Sequence, residues 1–231
     1  MEEIIAGLQE ALRLLISLDP EILGIASLSL KVSGLALLIS TILGIPLGAW
    51  LGLGRFLGRR LAVAFVYTGM GFPPVVVGLF VYLLLSRRGP LGGLGWLFTP
   101  TAMVLAQVII SLPLVAGFTM AAVMGVDPEL RPQLISLGAT QRQATWAFLR
   151  EARLGVLVAI IAGFGSIISE VGAVMMVGGN IERYTRVLTT AIVLEMQKGN
   201  FDLAIALGFI LLSIAFLINL FMLRLQREAF R

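Results

Sequence analysis

The sequence predicts an all-α integral membrane protein with about five transmembrane helices and an N-terminal amphipathic helix. Two observations carry that reading. Of the 231 residues, 58% are hydrophobic and 13% are charged, against about 45–50% and about 25% in an average soluble domain. The apolar residues also gather into long runs bounded by charges, each near the roughly 20 residues that cross a bilayer.

Each element follows from its residues. Over 1–20, Ile4, Ile5, Leu8, Leu12 and Leu15 share a helical stripe, while Glu2, Glu3, Gln9, Glu10 and Arg13 lie mostly on other faces. This is the pattern of an amphipathic interfacial helix. Its acidic start is unlike a secretory signal, which opens with basic residues; insertion is expected to use the first span. Asp19-Pro20 is expected to end the helix, because proline lacks an N–H and restricts its predecessor.

The first span is expected over 25–54, with Lys31 snorkelling to the headgroups. The others are expected over 61–86, 101–125, 154–178 and 203–224, the fourth carrying Glu170 inside it. Gly89-Pro90-Leu91-Gly92-Gly93 reads as a loop. No internal repeat is visible, so two-fold symmetry would need a second chain.

Five spans put the termini on opposite sides. With the N-terminus outside and the C-terminus cytoplasmic, Arg55, Arg59, Arg60, Arg131, Arg142, Arg150, Arg153, Arg224, Arg227 and Arg231 fall on the cytoplasmic side, ten of the 17 basic residues. The positive-inside rule favours this orientation in the cytoplasmic (inner) membrane.

Composition also excludes chemistry. The chain has no Cys and no His, so it offers no disulfide framework, no thiolate site and no imidazole base or metal ligand. No catalytic or metal-ligating group is expected. The net charge of +4 comes from residues scattered at the ends of apolar runs. Nucleic-acid binding needs a contiguous basic face instead. No phosphate-binding Gly-Lys-Ser/Thr loop occurs.

The connection 127–153 is the most informative stretch. It predicts two short helices broken near Gly138, a residue suited to the positive φ of a sharp turn. Pro132 suits a first helical turn. Leu134, Leu137, Trp146 and Phe148 supply apolar knobs on an otherwise polar loop. Such an elbow can dock into the groove of a partner; an ordinary surface helix is the alternative. The second long connection, 179–202, predicts a short amphipathic surface helix over 187–196.

These residues resemble the cytoplasmic motif of permeases from binding-protein-dependent ABC importers. The matching core is Leu137-Gly138-Ala139-Thr140, followed by an aromatic helix with Trp146 and Phe148. The family's Glu-Ala-Ala positions hold Pro132, Gln133 and Leu134, and its later Leu-Pro is Arg150-Glu151. A second string runs from Glu170-Val171-Gly172-Ala173 through Gly178-Gly179-Asn180-Ile181 to Thr185-Arg186-Val187. It is similar to molybdate and tungstate permeases, and most similar to the tungstate branch, as are 71–78 and 87–92.

The resemblance implies a type I ABC importer permease fold and transport of a tetrahedral oxyanion. It implies a homodimer bound to two ATPase subunits and one extracytoplasmic oxyanion-binding protein. This chain would hold no cofactor; ATP and Mg²⁺ would belong to the ATPase. The coupling residues would be Leu134, Ser136, Leu137, Gly138, Ala139, Thr140, Arg142 and Gln143. A molybdate or sulfate permease is the rival within the class; a membrane enzyme or a scaffold is the rival outside it.

Three further groups stand out. Pro73 and Pro74 break the ladder of the second span, and broken helices in membranes line a cavity or pack against protein. They read as a pathway or gate element, or as a packing kink. Glu170, with Gly172 beside it, reads as a structural acceptor near a helix break or as a gating switch. Asn180, Arg183, Thr185 and Arg186 read as outer residues that guide an anion or dock an acidic receptor.

Overall fold

The computed structural model describes residues 7, 9–10, 13–14, 17 and 19–228, without the side chains of 131 and 225–228. Most of the expected amphipathic helix over 1–20 lies outside the described residues. Within it, Gly7, Gln9, Glu10, Arg13 and Leu14 are helical.

The first long helix, α1 (Pro20–Leu53), has 34 residues, roughly 50 Å at 1.5 Å per residue. It begins five residues before the expected start at 25. Among the described residues, helix runs as far as Leu14, Ser17 is a turn and Asp19 is not helical, so the first helix stops before Asp19-Pro20 as expected; the same pair also starts this one. The Asp19 carboxylate accepts from the N–H groups of Glu21 at 2.9 Å and Ile22 at 3.2 Å, and Pro20 takes the first helical position.

The expected second span over 61–86 is divided. Helix α2 (Arg59–Met70) and helix α3 (Pro74–Leu85) meet at 102°. Pro74 sits at the start of α3 without an N–H, and Pro73 precedes it in extended geometry, so the ladder stops at Gly71. Helix α4 (Pro100–Met124) is long and apolar enough to cross a membrane, as are α1 and residues 201–224.

Helices α5 (Leu130–Ser136) and α6 (Gln141–Glu151) form the elbow, and α7 (Arg153–Ile168) leaves α6 at 69°. The expected span over 154–178 is divided too: α7 stops at Ile168, and α8 (Gly172–Gly178) starts after a three-residue break. Helix α9 (Leu188–Lys198) matches the helix expected over 187–196. It is not a surface helix, because Leu188, Thr189, Thr190, Ala191 and Glu195 are buried. The chain ends in α10 (Phe201–Glu228). Two bent pairs, α2–α3 and α6–α7, bring the candidate spans from three to as many as five.

Helix α4 is the centre. Helices α1 and α7 flank it, and α2, α3 and α8 also touch it. Gly44, Gly48 and Gly52 recur every four residues on the side of α1 that faces α4. A Cβ on Gly44 would come 2.9 Å from Val115 Cγ1, and one on Gly52 would come 3.2 Å from the Met120 carbonyl oxygen. One on Gly48 would run into the Ala116 carbonyl oxygen and come 2.8 Å from Thr119 Cβ. Small residues at this spacing let two membrane helices approach closely. Beside them, the buried Ser40 and Ser111 hydroxyls lie 2.6 Å apart.

The contact gives a direct test. Gly48→Ala is expected to lower the thermal stability of the purified protein, by roughly 1–3 kcal/mol as overpacking does. Gly34→Ala, where a Cβ meets nothing within 4 Å, is expected to keep or raise the melting temperature, because Ala favours the helix over Gly.

Candidate functional site

The elbow is a rigid, capped turn. Gly138 has φ +86°, a conformation that a side chain strains. Its N–H donates to the Ile135 carbonyl at 2.9 Å, and the Ala139 N–H donates to Leu134 at 3.0 Å. Thr140 and Gln143 then form a capping box: the Thr140 N–H donates to Gln143 Oε1 at 2.8 Å, and the Gln143 N–H donates to Thr140 Oγ1 at 3.3 Å.

The elbow has an anchored side and a free tip. Phe148 is buried with Ala49, Val123 and Ala152, so this apolar knob points inward and anchors the elbow. Leu137 at the tip is 84% exposed, and Ile135 is exposed beside it. Leu134 and Ala139 are half-buried; Ser136, Arg142 and Gln143 are exposed. Trp146 is exposed too, but it lines a groove with Ile45, Leu157 and Ile160, away from the tip. An exposed leucine on a braced turn is the feature a partner's groove would take.

The two helix breaks lie against each other. A Cβ on Gly172 would come 2.7 Å from Val75 Cγ2 and 3.6 Å from Glu170 Oε1, and one on Gly78 would come 2.6 Å from Ala173 Cα. Pro73 and Pro74 thus place α3 directly on α8. Glu170 is 8% exposed. Its Oε1 accepts from the Ala173 N–H at 2.8 Å, and its carbonyl accepts from Thr189 Oγ1 at 2.9 Å. The carboxylate therefore satisfies a backbone donor at the start of α8, which a helix end in lipid must find somewhere.

At the opposite end of α1 the four expected outer residues separate. Thr185 is fully buried; its hydroxyl bonds the Gly178 carbonyl and accepts from the Ile181 N–H at 2.9 Å. It cannot guide an anion. Asn180, at φ +49°, is half-buried and reaches the Thr190 carbonyl at 3.5 Å. Arg183 is exposed at φ +57°. The Arg186 side chain is only 14% exposed and lies 3.8 Å from Glu21 and 3.9 Å from Glu182.

Glu195 braces the turn from α9 into α10, a role the sequence reading missed. Its carboxylate accepts from Lys198 Nζ and Asn200 Nδ2, both at 2.7 Å. Burial pushes this carboxyl up, but the Asn200 and Lys198 hydrogen bonds and the charges of Lys198 and Arg186 outweigh it. The group is held below its ordinary value of 4.5. Its stabilising effect is present above the unfolded value and is lost as pH falls through the folded one.

Two outcomes are expected. Glu170→Ala should lower the melting temperature by the equivalent of about 1 kcal/mol, as lost caps do. Glu170→Gln, whose amide oxygen can accept the same N–H, should stay near wild type. Thermal melts of wild type and Glu195→Gln should differ at about pH 7 and converge as the pH falls through the lowered range in which the folded carboxyl titrates.

Comparison with known proteins follows the same outline. The model of the family described as binding-protein-dependent transport system inner membrane component matches residues 44–231. A tungstate uptake system permease protein, TupB, from Peptoclostridium acidaminophilum is 42% identical over 99% of this chain and 100% of its own length. A probable anion ABC transporter permease protein from Haloferax volcanii is 44% identical over 86% of this chain and 88% of its own. The molybdenum transport permease ModB of Escherichia coli is 30% identical over 91% of this chain and 96% of its own.

Among solved structures, a bacterial alginate ABC transporter superposes with a TM-score of 0.76 at 24% identity, covering 99% of this chain and 88% of its own. The fold is that of type I ABC importer permeases. The chain belongs to the family of binding-protein-dependent transport system inner membrane components.

Proposed function

We propose that this chain is the permease subunit of an ATP-driven importer that moves a tetrahedral oxyanion, tungstate foremost, across the cytoplasmic membrane. The observation that carries this is the 42% identity, end to end, with a tungstate uptake permease. The elbow supplies the physical means. Molybdate is the second reading, favoured by the molybdenum permease at 30% identity.

In this reading two copies pair around the pathway, each bound to one ATPase subunit, and an extracytoplasmic oxyanion-binding protein delivers the anion. The N-terminus faces outside and the C-terminus the cytoplasm. ATP and Mg²⁺ bind the ATPase chains, so this chain is a transport subunit and not the hydrolase. The exposed Leu137 enters the ATPase groove, while Phe148 transmits the push to α1 and α4 through Ala49 and Val123. The stacked breaks at Pro73-Pro74 and Glu170-Gly172 are where straight spans give way to short segments, which suits a gate.

The test is ATP hydrolysis by the co-purified complex with receptor loaded with tungstate, molybdate or sulfate. Tungstate-loaded receptor is expected to stimulate most. Gly138→Val, which forces a β-branched residue to φ +86° at roughly 1–2 kcal/mol of local strain, is expected to abolish that stimulation while the spans stay folded. Stimulation by sulfate alone, or normal transport by Gly138→Val, would overturn the reading.

A further inference from the structure

At the end of α1 opposite the elbow lies a cavity of about 370 Å³. Its wall brings Lys31, Arg183 and Arg186 together with Glu21, Ser27 and Tyr184. Three cations face one carboxylate in the wall, and a second carboxylate, Glu182, lies 3.9 Å from Arg186. Lys31 and Arg183 have no carboxylate within ion-pair distance among the described residues.

Arg186 is the telling member. Its side chain is 14% exposed, and its Nε is buried with no hydrogen-bond partner. Its two carboxylate neighbours stand at 3.8 and 3.9 Å, beyond the roughly 2.7–2.9 Å of a charge-assisted hydrogen bond. A buried guanidinium left so loosely met needs an acceptor.

We infer that this cavity is a binding site for one free tetrahedral dianion at the outer mouth of the permease. Lys31 and Arg183, the two lining cations with no carboxylate in ion-pair range among the described residues, match a dianion's two charges, where a lipid phosphodiester carries one. The guanidinium of Arg186 would donate to two oxygens, and Lys31 and Arg183 would close over the others. Glu21 opposes the ligand and keeps the site weak, as a relay site must be if the anion is to leave. The inference takes only the identity of the anion from the importer reading; the site stands on the cavity.

The experiment is equilibrium dialysis of the permease–ATPase complex, without receptor, against sodium tungstate, with bound tungsten counted by mass spectrometry. Saturable binding of one tungstate per permease chain is expected. Lys31→Gln and Arg186→Gln should each raise Kd at least about tenfold, the size of one lost charge-assisted bond. Glu21→Gln should lower Kd, a sign that a merely structural role for these residues would not produce.

Arg186→Gln touches a largely buried group, so the exposed Lys31 and Glu21 variants decide the matter if it does not fold. No saturable binding, or a Kd indifferent to Lys31→Gln, overturns the inference. So does retention of phosphatidylglycerol from added vesicles in place of tungstate. So does loss of receptor binding by Lys31→Gln with tungstate binding unchanged, which would make the patch a docking surface. If tungstate binds as described but loaded receptor never stimulates ATP hydrolysis, the importer reading fails and the site remains.

Discussion

Three glycines one turn apart, Gly44, Gly48 and Gly52, set the distance between α1 and α4, and the bundle is built on that pair. In lipid the hydrophobic effect does not hold helices together, so close van der Waals contact and shared polar groups must. The Ser40–Ser111 pair adds a hydrogen bond in the same interface. Helix α7 repeats the device against the same Val115 of α4. Gly163 of α7 lies so close that a Cβ would come 2.9 Å from Val115 Cγ2, and Gln107 donates to the Ile167 carbonyl at 3.1 Å.

That frame joins two functional ends. At one, Ala49 and Val123 hold Phe148 of the elbow, and Arg59 Nε donates to the Leu51 carbonyl at 2.7 Å, capping α1. At the other, the Leu188 N–H donates to Ser29 Oγ at 2.8 Å, fixing α9 to α1. The elbow and the cationic cavity therefore sit at the two ends of one helix. Between the ends, the two interrupted spans meet at Gly172 and Val75.

Much of this was legible in the residues. Apolar runs gave the membrane class, and Gly138 marked the elbow, while the Thr140–Gln143 capping box went unread. The interruptions were legible only in part. Pro73-Pro74 announced a break, but hydropathy cannot separate one kinked span from two helices at 102°. Glu170 was visible as an anomaly, but its role depends on Ala173 and Thr189, and Thr189 comes near only through the fold. Thr185 looked like a surface hydroxyl because burial is a tertiary property. The Gly44, Gly48 and Gly52 spacing was in plain view and passed over; its signal is the four-residue period. Asp19-Pro20 was expected only as a stop; that it also starts α1 shows only in the cap bonds.

Leu137 offers the most direct measurement, because the chain has no cysteine of its own and Leu137→Cys would give a single thiol at the elbow tip. Its reaction with a maleimide is followed in the permease alone and in the permease assembled with its ATPase subunits. Rapid labelling of the isolated chain and strong protection in the complex are expected. Equal labelling in both would contradict an elbow gripped by a motor subunit.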